Sequence, residues 1–286
     1  MYRKLIFILG IVLLSSFASA DLNDNIVAYY TYDDGVEDSV NSNDGNNQGT
    51  TEVSGKIGNA RSFDGTNDYI RHDTAQTDLK QLGDFTLQYW IKTSVTANDA
   101  IIKSVSASGN ANPWNIKIDS GYLYIVLGDG NGQRVTYIST PVNYDNNAWH
   151  HVILVKDGTT PYIYFDGSSL PVTNNFIGQS ITDGDVYTYI GVDGRTGLSN
   201  YFTGQLDEIA VWSRAISSDE VTELWNDGDG LQYPFTSCGG CDYCGTGDWI
   251  ISESCHVTED TTLELGYKMI VKAGYTVWVD SGVTIK

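Results

Sequence analysis

The run Phe85-Thr86-Leu87-Gln88-Tyr89-Trp90-Ile91-Lys92 decides the fold class. Its side chains alternate, and Phe85, Leu87, Tyr89 and Ile91 fall on one face. A period of two marks a strand that buries one face. The same period recurs on either side of this run. His151, Ile153 and Val155 share a face within residues 149–156, and residues 122–127, 134–139, 162–165, 187–192 and 202–212 read alike. Between these runs lie Gly128-Asp129-Gly130-Asn131-Gly132, Asp157-Gly158 and Asp166-Gly167. Asn, Asp and Gly tolerate positive φ, so these are hairpin turns. Many short strands with frequent turns predict an all-β sandwich or barrel.

Composition agrees. Nineteen tyrosines and seven tryptophans are a heavy aromatic load, which disordered chains lack. The first twenty residues stand apart. Arg3 and Lys4 precede the apolar stretch Leu5 to Leu14, and Ala18-Ser19-Ala20 supplies a small-x-small cleavage site. That is the layout of a secretory signal peptide, expected over 1–20, and the apolar stretch is too short for a spanning helix. No later stretch is apolar enough to cross a bilayer, so no membrane insertion is expected after cleavage. Removing the leader takes away two positive charges and turns a net charge of −20 into −22. So acidic a chain suits solubility and cation binding. It excludes nucleic acid as a partner, because phosphate binding needs a basic stripe that is not visible here.

One helix interrupts the strands. Ser217-Ser218-Asp219-Glu220 forms a capping box, and Val221, Leu224 and Trp225 follow at helical spacing. The character changes after Pro234. Cys238, Cys241, Cys244 and Cys255 are the only cysteines, and short strand-like pieces follow them, with Gly266, Gly274 and Gly282 eight residues apart. The expected organisation is a leader over 1–20, a β-sandwich over 21–234, and a Cys-rich linker with short β-helix-like rungs over 235–286. Cysteines behind a signal peptide favour disulfides over zinc or an iron–sulfur cluster. Four cysteines allow three pairings. Cys244–Cys255 with Cys238–Cys241 is the expected one, since the first pair would bracket a strand at Trp249.

Several motifs in residues 26–233 carry a resemblance. They are the opening strand Val27 to Tyr32, Gly55-Lys56-Ile57-Gly58-Asn59-Ala60-Arg61-Ser62-Phe63-Asp64-Gly65, and Asp84 to Lys92. Trp149-His150-His151-Val152 follows, with Tyr162 to Gly167, and then Gly204-Gln205-Leu206-Asp207-Glu208-Ile209-Ala210-Val211-Trp212 before the helix start. In this order they resemble laminin-G-like domains of the concanavalin A-like lectin/glucanase superfamily. The resemblance implies a two-sheet antiparallel jelly roll and leaves function open, because this superfold hosts lectins, adhesion modules and hydrolases alike. The tail from Cys244 onward is similar to the entry into a parallel β-helix of microbial surface proteins.

Two ligands are expected. Calcium suits the acidic loop from Asp33 to Gly45, because Ca²⁺ takes six to eight oxygens. The loop lacks the EF-hand spacing. Relatives bind a structural calcium near the first strands and at the Asp of the Asp-Glu motif, which implies Asp38 and Asp207 first, then Asp34 and Asp44. A sugar needs aromatic faces beside planar polar groups. Residues 106–114 and 193–201 offer these, and related pentraxins carry calcium and ligand on loops at similar places. The candidates are Asn110, Asn112, Trp114, Asp193 and Arg195, although the pentraxin acidic cluster after Asp193 is missing.

Catalysis is not expected. Glucanases of this fold set carboxylates at alternate strand positions, on one face about 5 Å apart. No such run occurs, and Asp207 and Glu208, being adjacent, are expected on opposite faces. His150 and His151 are expected to be packed. The reading is a secreted or cell-surface carbohydrate-binding or adhesion module, with glycans or surface glycoproteins as partners. The alternative is a protein-interaction or architectural domain of a larger surface protein, and a glycoside hydrolase or lyase stands third.

Overall fold

The computed structural model describes residues 21–72, 84–96, 99–106, 114–128, 134–177, 186–194, 197–235, 249–251, 255–257, 269–271 and 277–279. Two antiparallel eight-stranded sheets form a sandwich. The first contains β1 (Ile26–Tyr30), β3 (Thr51–Ser54), β4 (Asn59–Asp64), β6 (Phe85–Lys92), β11 (Trp149–Asp157), β12 (Thr160–Phe165), β13 (Ser168–Leu170) and β16 (Thr203–Trp212). Its order is β13-β12-β11-β6-β16-β4-β3, with β1 also paired to β16. The second contains β2 (Gly45–Gln48), β5 (Tyr69–His72), β7 (Asp99–Ser106), β8 (Trp114–Asp119), β9 (Tyr122–Gly128), β10 (Arg134–Ser139), β14 (Val172–Ile177) and β15 (Val186–Ile190). Its order is β14-β10-β9-β8-β7-β15-β5-β2.

Alternation builds the core. Phe85, Leu87, Tyr89 and Ile91 of β6 face the other sheet, where Ile70, Ile102, Ile116, Ile118, Leu123 and Ile125 meet them. Burying such a side chain is worth about 1.5–3 kcal/mol, so the period fixes the face. The opposite face of the first sheet is buried too. Tyr29, Ile153, Val155, Ala210 and Trp212 pack beneath the helix α1 (Ser218–Trp225) through Val221 and Leu224, and against Leu22 and Phe235. The capping box is present: the Glu220 amide donates to Ser217 Oγ at 3.2 Å, and the Ser217 amide donates to Glu220 Oε2 at 2.7 Å. Such a cap is worth about 1 kcal/mol.

The expectation that Asp207 and Glu208 take opposite faces is corrected. The β16–β6 register slips between Asp207 and Ala210, and Glu208 has φ 50. Leu206 and Ile209 both enter the core, so both acidic residues stay on the outer side. A β-bulge places two residues opposite one and resets the alternation.

In the tail, β17 (Trp249–Ile251) pairs in parallel with β19 (Met269–Val271), and β18 (Cys255–Val257) with β20 (Val277–Val279). Cys255 opens β18 opposite Val277. Cys238, Cys241, Cys244, the glycines at 266, 274 and 282, and residues 1–20 lie outside the described residues. No helix among the described residues is long and apolar enough to cross a membrane.

Candidate binding face on the second sheet

The second sheet turns its alternate residues away from the core. Since Ile116, Ile118, Leu123 and Ile125 point inward, Asn115, Lys117, Tyr122, Tyr124 and Val126 point outward. By the same parity Tyr69 and Arg71 on β5, Tyr187 and Tyr189 on β15, and Lys103 on β7 share that outer face. Two flanks of aromatic and cationic side chains result. On one, Tyr69 and Tyr189 rings lie 6.0 Å apart, and the Arg71 guanidinium sits 5.8 Å from the Tyr187 ring. On the other, the Lys117 ammonium lies 4.4 Å over Tyr124, whose ring is 6.3 Å from Tyr122. All seven residues are half-buried. Between the flanks the floor is buried: Lys103, Asn115, Val126 and Thr136. Lys103 Nζ lies 2.6 Å from Asp193 Oδ2, and both side chains are enclosed. Asp193 is fixed by its backbone, which exchanges hydrogen bonds of 2.8 and 3.0 Å with Ser199.

Among the sugar candidates, Asp193 therefore belongs to this face. Trp114 opens β8 opposite Leu127. Asn110, Asn112 and Arg195 lie outside the described residues. Sequence reasoning missed Lys103, Asn115, Tyr69, Tyr124, Tyr187 and Tyr189. Alternation about Ile116 and Ile125 was a signal for two of them; the rest needed strand order.

The calcium candidates fall elsewhere. Asp207 Oδ2 accepts the Lys56 and Ile57 amides at 2.8 and 3.1 Å, and its Oδ1 accepts the Glu208 amide at 2.9 Å. Asp33 Oδ1 accepts the Asn59 amide at 2.7 Å. This explains the paired glycines of the motif: a Cβ on Gly55 would stand 2.6 Å from Asp207 Oδ2, and one on Gly58, at φ +53, 2.0 Å from Asp33 Oδ1. Asp38 Oδ1 accepts the Tyr29 and Val40 amides at 3.0 Å, and Asp44 Oδ1 the Asp38 amide at 3.0 Å. Asp34 is exposed. Among the described residues no group of three or more His, Cys, Asp or Glu is placed to hold a metal. Asp33, Asp38, Asp44 and Asp207 hold backbone amides of neighbouring loops and strands.

Glu208 completes this hub. Tyr29 Oη donates to its Oε2, and Gln232 Nε2 bridges Glu208 Oε1 at 3.2 Å and Asp33 Oδ2 at 2.7 Å. Burial pushes the Glu208 carboxyl up to about 9. Burial also pushes Asp207 up to about 7, against its three amide donors and helped by nearby Asp33. His151 packs on Trp90, rings 4.6 Å apart, with Trp225 at 6.0 Å, and burial pushes its imidazole down to about 3. His150 stacks on Phe165 and bonds Asp166 Oδ2 at 2.8 Å.

Comparisons with known proteins agree with this architecture. The adhesion G-protein coupled receptor V1 of Danio rerio is 24% identical over 151 residues, covering 51% of this chain and 2% of the receptor. The chain thus spans a small fraction of that relative's length. Domain 4 of AbnA, an extracellular GH43 arabinanase from Geobacillus stearothermophilus solved with arabinotriose, superposes with a TM-score of 0.53 at 18% identity, over 70% of this chain and 97% of that one. The binding domain of botulinum neurotoxin DC, solved with rat synaptotagmin II, gives 0.54 at 13%, over 74% and 53%. At such identities these likenesses speak for the fold alone. The laminin-G model described as the concanavalin A-like lectin/glucanases superfamily matches residues 64–222. The chain belongs to the laminin-G family of that superfamily.

Proposed function

We propose that this chain is a non-catalytic carbohydrate-binding module of an extracellular or cell-surface protein, and that the outer face of the second sheet is its site. One observation carries the reading: half-buried tyrosines interleaved with Arg71 and Lys117 flank a polar floor on a sheet face that the one described helix does not cover. Sugars present C–H faces that stack on aromatic rings and hydroxyls that need both donors and acceptors, and tyrosine supplies area with a polar end. Support comes from the structural relative solved with arabinotriose and from the adhesion-receptor relative. The signal-peptide layout of residues 1–20 supports an extracellular place.

A saccharide array, run with the full chain and with Tyr124→Ala and Tyr189→Ala, tests this. Each substitution is expected to weaken binding about tenfold, which is about 1.4 kcal/mol. A chain that holds no saccharide leaves the second reading, a protein-binding domain, which the relative solved with synaptotagmin favours. Calcium at Asp34, Asp38, Asp44 and Asp207 is a separate proposal that rests on negative charge and on the family resemblance. Adding CaCl2 to chelated protein would then raise the melting temperature, and an unmoved midpoint removes the idea.

A further inference from the structure

We propose that Lys103, Asp193 and Asn115 form a subsite that takes two neighbouring hydroxyls of an uncharged sugar residue; this rests on the reading of the face as a glycan site. Asn115 carries the argument. The residue is 5% exposed, and its Oδ1 is buried with no hydrogen-bond partner. Buried acceptors are normally paired, because burial strips water without replacing it. An orphan on the outer side of the sheet is an acceptor the fold leaves for something else.

Its neighbours suit a hydroxyl. Asn115 faces Lys103 across the β7–β8 ladder, and Lys103 faces Tyr189 across the β7–β15 ladder. Lys103 holds Asp193 at 2.6 Å. The floor therefore places an amide oxygen beside a lysine–aspartate ion pair. Each hydroxyl of a sugar both donates and accepts, so two adjacent hydroxyls match this alternation of donor and acceptor. Tyr189 on one side and Tyr124 on the other stand where a ring's C–H faces would rest.

Charge selects the sugar. The Lys103–Asp193 pair is self-neutralising and nearly dehydrated, at 1% and 6% side-chain exposure. A uronate or sulfate arriving here would shed its water beside a pair whose charges already satisfy each other, in a chain of net charge −20. A neutral residue brings no such cost.

The test is an NMR titration of the full chain with neutral trisaccharides of glucose, mannose, galactose and xylose, and with trigalacturonate and a sulfated disaccharide as acidic probes. A neutral probe is expected to bind and to move the Asn115 side-chain amide resonance. Asn115→Leu should lose at least tenfold in affinity while its melting temperature holds or rises, because an unpaired acceptor has been replaced by an apolar group of similar size. Unchanged affinity in Asn115→Leu overturns the subsite; if Tyr124→Ala still weakens binding in the same assay, the glycan reading of the face survives. Binding of the acidic probes alone overturns the subsite as well. Binding of no probe overturns subsite and glycan reading together. Should Asn115→Leu fail to fold, the Asn115 resonance of the unaltered chain decides, and a resonance that stays still under saturating sugar counts against the proposal.

Discussion

His151 shows how a titratable residue becomes part of the packing. Its ring lies within 16° of the Trp90 plane and 15° of the Trp225 plane, and Nε2 meets Gln88 Oε1 at 3.3 Å. Burial keeps the imidazole neutral down to about pH 3. The unfolded chain takes up this proton near pH 6.5. The unfolded state then binds more protons than the folded one, so stability is fully present above that pH and is lost as pH falls through the window from about 6.5 to about 3. The loss approaches about 1.4 kcal/mol per pH unit for this group alone. His151→Phe keeps a ring in the stack and removes the proton. Urea unfolding between pH 7 and 4 should show the variant gaining on the unaltered protein with every step toward acid. Parallel curves for the two proteins would refute this account of His151.

At the scale of elements, the bulge in β16 and the loop between β3 and β4 act as one fastening. Asp207 reaches the loop because the bulge turns it outward, and the loop accepts it because Gly55 leaves the room. Asp207→Asn offers an N–H where the Lys56 and Ile57 amides need oxygen. A loss of about 2 kcal/mol is expected. Hydrogen exchange should show the Lys56 and Ile57 amides losing protection more than those of β6; uniform change along the chain would argue against a local clasp. The alternation of Phe85–Lys92 was legible in the sequence because a period of two needs no partner to be read. The capping box at Ser217 was legible for the same reason. The bulge was not, since nothing in Asp207-Glu208 announces a positive φ at Glu208, and the slip is defined only against β6.

Across the whole molecule, the sandwich was recoverable from local signals, whereas the candidate binding face was only partly so. Asp193 was singled out from its loop. Lys103 and Asn115 gain their meaning from non-local pairing: β7 lies between β8 and β15, which are far apart in the chain. Asp38, Asp44 and Asp207 each accept backbone amides, contacts that a reading of the acidic loops by composition does not show. The tail carries its own check. If Cys238, Cys241, Cys244 and Cys255 pair as expected behind a leader, material secreted through an oxidising route should show no reactive thiol by Ellman titration until it is reduced. Reactive thiols in the unreduced protein would remove the disulfide assignment.

The two ends of the described sandwich meet. The Phe235 amide donates to Asn23 Oδ1 at 3.0 Å, Asn23 Nδ2 donates back to the Phe235 carbonyl, and Trp212 Nε1 donates to the Leu22 carbonyl at 2.6 Å. Entry and exit of the chain therefore share one anchorage. A unit built this way splices into a host polypeptide like a bead on a short stalk. Tension applied at both ends of such a unit would tug first on the Asn23–Phe235 clasp, sparing the sheets and leaving the outer face of the second sheet undistorted.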